Sequence, residues 1–116
     1  MKRLLLLVLL FPLPALAVTP EAKEFMAISA QLEPVQCEKR QLRRAIALAQ
    51  AERRADDLKR LRGRFAAIDR NKETARLEKR LAVLEARILD SSGRPRNPED
   101  LDAISLQQRQ AFYRCD

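Results

Sequence analysis

The chain has 116 residues, a length that suits one small domain. It contains no histidine and two cysteines, so the commonest general base is missing and a thiolate zinc site cannot be built. Two glycines, 4% aromatic residues and a high content of Ala, Leu, Arg, Glu and Lys favour long helices and a thin core. We therefore expect an all-α protein that is not an enzyme and holds no metal or cofactor.

The first 17 residues have the pattern of a secretory signal peptide. Lys2 and Arg3 precede an apolar run, residues 4–11, and a small-x-small cleavage motif, residues 15–17. The apolar run is shorter than the ~20 residues that a membrane-spanning helix needs, and a membrane anchor is the alternative interpretation. Cleavage after Ala17 would leave residues 18–116 as a single helical domain in the bacterial periplasm or outside the cell.

Two helices are predicted before residue 69. Residues 21–32 carry apolar side chains at helical spacing, and Pro34 is expected to end this helix because the residue before a proline disfavours the helical conformation. A long amphipathic helix is predicted over about 34–68, where apolar residues recur three and four positions apart. Gly63 in this helix is either a hinge or a point of close helix contact, or it is a tolerated small residue.

The segment Asp69-Arg70-Asn71 separates two apolar series that are out of phase, which predicts a break in the helix. The chain is expected to reverse there into a helix over about 72–89. A last helix over about 98–114, with Asn97 as its N-cap, would continue in the same direction. Both would pack antiparallel along the long helix as a helical hairpin with coiled-coil character. One continuous rod with a heptad discontinuity is the alternative.

Cys37 and Cys115 are predicted to form a disulfide, because an exported chain with an even number of cysteines commonly pairs them. The expected hairpin brings Cys115 back to the level of Cys37, so each prediction supports the other. In the chain-entropy model such a bridge stabilises the fold by roughly 4–5 kcal/mol. Buried free thiols or an intermolecular bridge are the alternatives.

Basic residues concentrate between Glu38 and Arg96, where 18 basic and 9 acidic residues give a net charge of +9. Such a surface could hold an acidic partner, or it could be a solvated face whose side-chain stems cover a thin core. Nucleic acid is disfavoured, because the chain has an export signal and few aromatic residues stand among the charges. The candidate binding residues are Arg53, Arg60, Arg64, Arg76, Arg80 and Arg87.

Two resemblances to known families add to this interpretation. The run Cys37-Glu38-Lys39 with Leu42, Ile46, Ala49, Leu58 and Leu61, and the segment Lys79-Arg80-Leu81-Ala82 with Leu84 and Glu85, look like the YqjC-like family of small periplasmic helical proteins. This resemblance implies a periplasmic location and a helical fold. The segment Gln107–Cys115 is similar to the closing helix of lysozyme-inhibitor-like LprI domains.

The expected function is binding of a protein or an acidic envelope component, with the partner and the oligomeric state left open. One alternative is an inhibitor of an envelope or secreted hydrolase of the lysozyme type. Another is a chaperone-like envelope adaptor. The first function predicts salt-dependent binding, the second a stoichiometric loss of enzyme activity and the third binding to unfolded chains.

Overall fold

The computed structural model describes residues 18–115, so the predicted signal peptide and its cleavage site lie outside the described part. The described residues form four helices and no strand: α1 (Pro20–Ala51), α2 (Ala55–Asp69), α3 (Lys72–Ile88) and α4 (Pro98–Arg114). The predicted all-α fold is confirmed. Between residues 18 and 115, no helix is both long enough and apolar enough to cross a membrane.

α1 is the helix on which the other three pack. α2 turns back along the C-terminal half of α1, where Arg64 Nε donates to Glu38 Oε1 at 2.6 Å. α3 continues in the same direction along the N-terminal half, where Arg80 pairs with Glu24. α4 then reverses once more and returns along α1. The N-terminal half of α1 thus belongs to a three-helix bundle, and its C-terminal half forms a two-helix hairpin with α2.

The bundle contains the main apolar cluster of the described residues. Leu32 of α1 and Leu84 of α3 are its largest fully buried side chains. Burying a side chain of this size stabilises the fold by roughly 1.5–3 kcal/mol. The other buried members are Ala22, Ile28, Leu77, Ile88 and Ile104. Each helix contributes only a narrow apolar stripe, which agrees with the thin core predicted from composition.

Pro34 lies inside α1 and does not end it, so the structure corrects the boundary predicted there. A proline in a helix interior removes one backbone hydrogen bond, here to the carbonyl of Ala30, and costs about 3 kcal/mol. Ala30 and Pro34 are both exposed, so water can reach the carbonyl that lacks its partner. Leu32 is packed in the core and Cys37 is held by a disulfide, so both sides of the proline are fixed.

The helix predicted over 34–68 is instead interrupted at Arg53, whose φ of 55° is in the left-handed region. The Arg53 N–H donates to the carbonyl of Gln50 at 3.2 Å, and the Arg54 N–H donates to the carbonyl of Ala49 at 2.9 Å. These two bonds form a Schellman cap, in which glycine usually takes the left-handed position. Because an arginine occupies it here, the sequence pattern does not mark this turn.

The break predicted at residues 69–71 is present, but the chain does not reverse there. Asn71 caps α3 by accepting a hydrogen bond from the Thr74 N–H at 3.0 Å. α2 and α3 both run antiparallel to α1 and follow one another along it. The reversal lies at Arg53 instead, so the long helix that the others fold along is α1.

The disulfide between Cys37 and Cys115 is confirmed, with Cα atoms 5.4 Å apart. Asn97 caps α4 as predicted, since its side chain accepts from the Glu99 N–H at 2.9 Å. Three further contacts join α1 to α4 at a constant sequence separation of 81: Thr19–Asp100, Met26–Gln107 and Glu33–Arg114. Because both partners advance together in heptad steps, α4 runs parallel to α1 in a coiled-coil register. The antiparallel direction predicted for this last helix is corrected by the second reversal, after α3.

Candidate functional site

The six arginines predicted to bind a partner are spread over most of the length of the molecule. Arg53 lies in the turn after α1, beside its C-terminal end. Arg87 lies in the last turn of α3 and acts electrostatically on Glu24, near the start of α1. Since α1 is roughly 48 Å long, these two arginines are far apart. Arg60 and Arg64 lie on α2, and Arg76 and Arg80 on α3.

Three of the six arginines are held by carboxylates. Arg64 pairs with Glu38 at 2.6 Å, Arg76 with Glu73 at 2.6 Å, and Arg80 with both oxygens of Glu24 at 2.7 and 2.9 Å. The hydrogen bonds in these pairs raise the pKa of each arginine and lower the pKa of Glu24 and Glu73. Arg60 has a longer contact of 3.7 Å with Asp57. Within the described residues, Arg53 and Arg87 have no ion-pair partner.

Positive charge is concentrated in one part of the fold. The basic hairpin, defined as residues 38–71, contains 11 basic and 5 acidic residues, a net charge of +6. The rest of the described chain, residues 18–37 and 72–115, contains 10 of each and has a net charge of zero. The excess of positive charge predicted between Glu38 and Arg96 therefore lies in the two-helix part of the molecule.

Lys39 joins the basic hairpin to the bundle. Only 8% of Lys39 is exposed, and its Nζ contacts Asp69 Oδ1 at 2.5 Å and Glu78 Oε1 at 3.1 Å. The hydrogen bond that Lys39 donates to Asp69 is the main cause that raises the pKa of Lys39. The same Nζ lies 5.6 Å from the ring centroid of Phe65, and the guanidinium of Arg43 lies 5.4 Å from it. Lys39 thereby ties the end of α2 and the start of α3 to α1.

A groove of about 400 Å³ lies between α1 and α4, with α3 contributing to its floor. It contains both apolar and hydrogen-bonding side chains. The apolar lining residues are Phe25, Leu81, Ala111 and Phe112, and the polar ones include Ser29, Gln36, Gln107 and Gln108. The disulfide at Cys37 borders the groove. Such a mixture of apolar surface and a few polar groups is typical of ligand sites.

Arg40 is the cation of this groove. Its guanidinium carbon lies 4.9 Å from the ring centroid of Phe112, and its buried Nη1 has no hydrogen-bond partner. The groove also contains Glu33, but Arg114 holds both of its oxygens, at 2.8 and 3.0 Å, and lowers its pKa. Among the described residues, the buried Nη1 of Arg40 is therefore left without an acceptor.

Gln107 provides a second unpaired group in the groove. Its Nε2 donates to the carbonyl of Met26 at 2.7 Å, while its buried Oε1 accepts no hydrogen bond. The sequence pattern does not reveal this groove, because Phe25 and Arg40 are predicted to lie on different helices, before and after Pro34. In a continuous α1 the lining positions 25, 29, 33, 36 and 40 recur three and four residues apart and lie on one face.

Two aromatic side chains are exposed near the end of α4. Phe112 is 50% exposed and Tyr113 is 75% exposed, and their rings meet edge to face with centroids 5.7 Å apart. Exposed aromatic side chains are common at protein interfaces, because they bury a large area at a small cost in side-chain entropy.

Comparisons with protein-family models, with curated proteins and with solved structures found no match to this chain. The candidate sites therefore follow from geometry and charge. They are the basic hairpin, the groove at Arg40 and the aromatic pair on α4.

Proposed function

We propose that this protein is a non-catalytic binding protein of the bacterial periplasm, or a secreted one, and that its basic hairpin engages an acidic macromolecular surface. The observation that carries the proposal is the division of charge, +6 in the hairpin and zero in the bundle. A localised charge of one sign attracts an acidic partner over a range of about 8 Å at physiological salt. The hairpin is joined to the bundle through Lys39, which pairs with Asp69 of α2 and with Glu78 of α3.

The shape of the basic hairpin supports this role. With only two helices it leaves the outer face of each helix in solvent, so basic side chains from both can contact one partner surface. Arg60 illustrates this, since its side chain is 72% exposed. Leu48 is also exposed near the turn and adds apolar area to the surface of the hairpin. Protein interfaces commonly combine apolar side chains with a polar rim.

The test compares two triple variants that remove equal charge. The hairpin variant carries Arg53→Gln, Arg60→Gln and Arg62→Gln, and the bundle variant carries Arg76→Gln, Arg80→Gln and Arg87→Gln. Binding of polyglutamate at low and high salt is measured by biolayer interferometry. We expect the wild type to bind at low salt and to release as salt rises, and the hairpin variant to bind much more weakly than the bundle variant. Equal losses in the two variants would show that the basic hairpin is not the binding surface.

The proposed compartment is supported by the disulfide and by the N-terminal pattern. A disulfide such as Cys37–Cys115 persists in the periplasm and outside the cell and is rare in the cytosol. Residues 1–17 have the composition of a signal peptide. The intact mass of protein recovered from a periplasmic extract should match a chain that begins at Val18. A full-length mass in the membrane fraction would instead support the membrane-anchor alternative.

A second candidate function is inhibition of an envelope or secreted hydrolase of the lysozyme type. It is favoured by the exposed Phe112 and Tyr113 within the segment that resembles LprI domains. Lysozyme activity titrated with the protein should fall stoichiometrically, and Tyr113→Ser should relieve the inhibition. Leu106→Ser is the matched control, because Leu106 is an exposed apolar residue of the same helix. Unchanged lysozyme activity at a molar excess of protein would exclude this enzyme class as the target.

A further inference from the structure

We propose that the groove between α1 and α4 binds the free C-terminal carboxylate of a short apolar peptide. Arg40 belongs to the basic hairpin, but every other lining residue of this groove comes from the bundle, so the groove is distinct from the outer surface of the hairpin. The proposal follows from three features of the groove. These are an unpaired cation at one end, amide side chains along its length and an apolar floor.

The cationic end selects an anion. The buried Nη1 of Arg40 lacks an acceptor, and an unsatisfied charged donor is unfavourable unless a partner reaches it. A guanidinium matches the two oxygens of a carboxylate in a planar, bidentate geometry. Glu33 does not compete for Arg40, because its oxygens are held by Arg114. The Phe112 ring lies against the guanidinium and is half exposed, so a ligand reaches the buried Nη1 only when this ring turns aside.

The lining along the groove selects a peptide over a plain acyl chain. Gln107 Oε1 is buried without a donor, and a peptide N–H can supply one, whereas an acyl chain would leave it unpaired. Ser29, Gln36 and Gln108 add groups that can donate to or accept from a peptide backbone. Phe25 and Leu81 supply apolar surface for the side chains of the peptide. A volume of about 400 Å³ suits a ligand of a few residues.

The experiment uses one peptide in two forms, N-acetyl-alanyl-leucyl-leucine as the free acid and as the C-terminal amide. Binding to the full protein is measured by isothermal titration calorimetry at physiological salt. We expect the acid to bind roughly tenfold or more tightly than the amide, because only the acid forms a charge-assisted bond with Arg40. In Arg40→Gln the two forms should bind equally. Lys23→Gln removes one positive charge from an exposed position of α1 outside the groove lining and should keep the preference for the acid.

Far-UV circular dichroism and thermal unfolding of both variants show whether the fold is retained. If Arg40→Gln is unfolded, Arg40→Lys takes its place in the experiment. Arg40→Lys keeps the charge but not the bidentate geometry, so its preference for the acid should be intermediate between wild type and none. Equal binding of acid and amide by the wild type would overturn the proposal. Binding of dodecanoate without binding of the peptide acid would also overturn it and would assign the groove to acyl chains. Neither result depends on whether the basic hairpin binds polyglutamate.

Discussion

Thr19 donates both its backbone N–H and its hydroxyl to the carboxylate of Asp100, at 2.8 and 2.7 Å. Asp100 is only 2% exposed, and a buried carboxylate is tolerated only where such partners satisfy it. This contact joins the first turn of α1 to the first turn of α4, and the disulfide joins Cys37 to the end of α4. α4 is thus fixed to α1 near both of its ends, which compensates for its narrow apolar stripe.

Removing the buried carboxylate should destabilise the fold. We expect Asp100→Ala to lower the free energy of unfolding by about 2–3 kcal/mol, because two donors on Thr19 lose their acceptor in a buried place. Asp102→Ala is the matched control, because Asp102 lies two residues further along the same helix but is exposed. Urea unfolding followed by circular dichroism measures both variants. Similar losses would mean that the charge near the helix start matters rather than the contact with Thr19.

The disulfide should provide much of the stability of the fold. Cys37 and Cys115 are 78 residues apart, and in the chain-entropy model closing such a loop stabilises by about 4–5 kcal/mol. We therefore expect the double variant Cys37→Ala, Cys115→Ala to lose stability of that order in urea. Non-reducing peptide mapping of the wild type should recover the linked pair. Complete thiol labelling of the native protein would contradict both the bridge and the position of α4.

Arg53 should be a site where glycine stabilises the protein. Its left-handed conformation costs a non-glycine residue about 1 kcal/mol, so Arg53→Gly should raise the free energy of unfolding by a similar amount. Arg62→Gly provides the contrast, because Arg62 is in the interior of α2, where glycine costs about 1 kcal/mol. Thermal unfolding of the two variants should shift in opposite directions. A loss of stability in Arg53→Gly would argue against the Schellman turn.

Local signals in the sequence predicted the second half of the fold well. Asn71 and Asn97 are strong N-cap residues, and α3 and α4 begin directly after them. The helix boundaries in the first half of the fold were predicted at the wrong positions, because they depend on tertiary contacts and on one unusual backbone conformation. The disulfide and the core hold α1 together across Pro34, and Arg53 adopts a conformation that is typical of glycine. Neither feature can be predicted from the helix propensities of the residues alone.

The candidate sites were predictable only in part. Counting charges located a basic region, but it could not show which charges cancel, since Arg64 and Glu38 are 26 residues apart. The groove at Arg40 was missed for a different reason. The lining residues come together only because α1 is continuous and α4 runs parallel to it. Both features require the chain to reverse after α1 and again after α3.

The position of the main reversal can be tested in solution with spin labels at Ala55 and Val83, which are both exposed. A reversal at residues 69–71 would bring the two labels close together. The structure instead places Ala55 at the turn after α1 and Val83 beside the first turns of α1, a separation of roughly 40 Å. Pulsed electron paramagnetic resonance measures this distance directly. A short distance would restore the hairpin predicted from the sequence.

Acid should weaken the bundle through two ion pairs that join its helices. Glu24 is bonded to Arg80 of α3, and Glu33 is bonded to Arg114 of α4. These hydrogen bonds lower the pKa of both carboxyls from the ordinary value of 4.5. A carboxyl with a lower pKa in the folded state than in the unfolded state stabilises the fold above the unfolded value. That contribution is lost as the pH falls from 4.5, the ordinary pKa, through the lower pKa values that Glu24 and Glu33 have in the folded state.

The urea midpoint of the wild type should therefore drop between neutral pH and pH values well below 4.5. The double variant Glu24→Gln, Glu33→Gln lacks both titrating groups and should show a smaller drop, starting from a lower midpoint at neutral pH. Because both pairs are exposed, the difference should also shrink as salt rises. Glu85→Gln removes an exposed carboxyl of α3 that has no ion pair in the described part of the chain, and it is the matched control for the loss of one negative charge. If the double variant lost as much stability in acid as the wild type, the acid sensitivity would have to arise from groups other than Glu24 and Glu33.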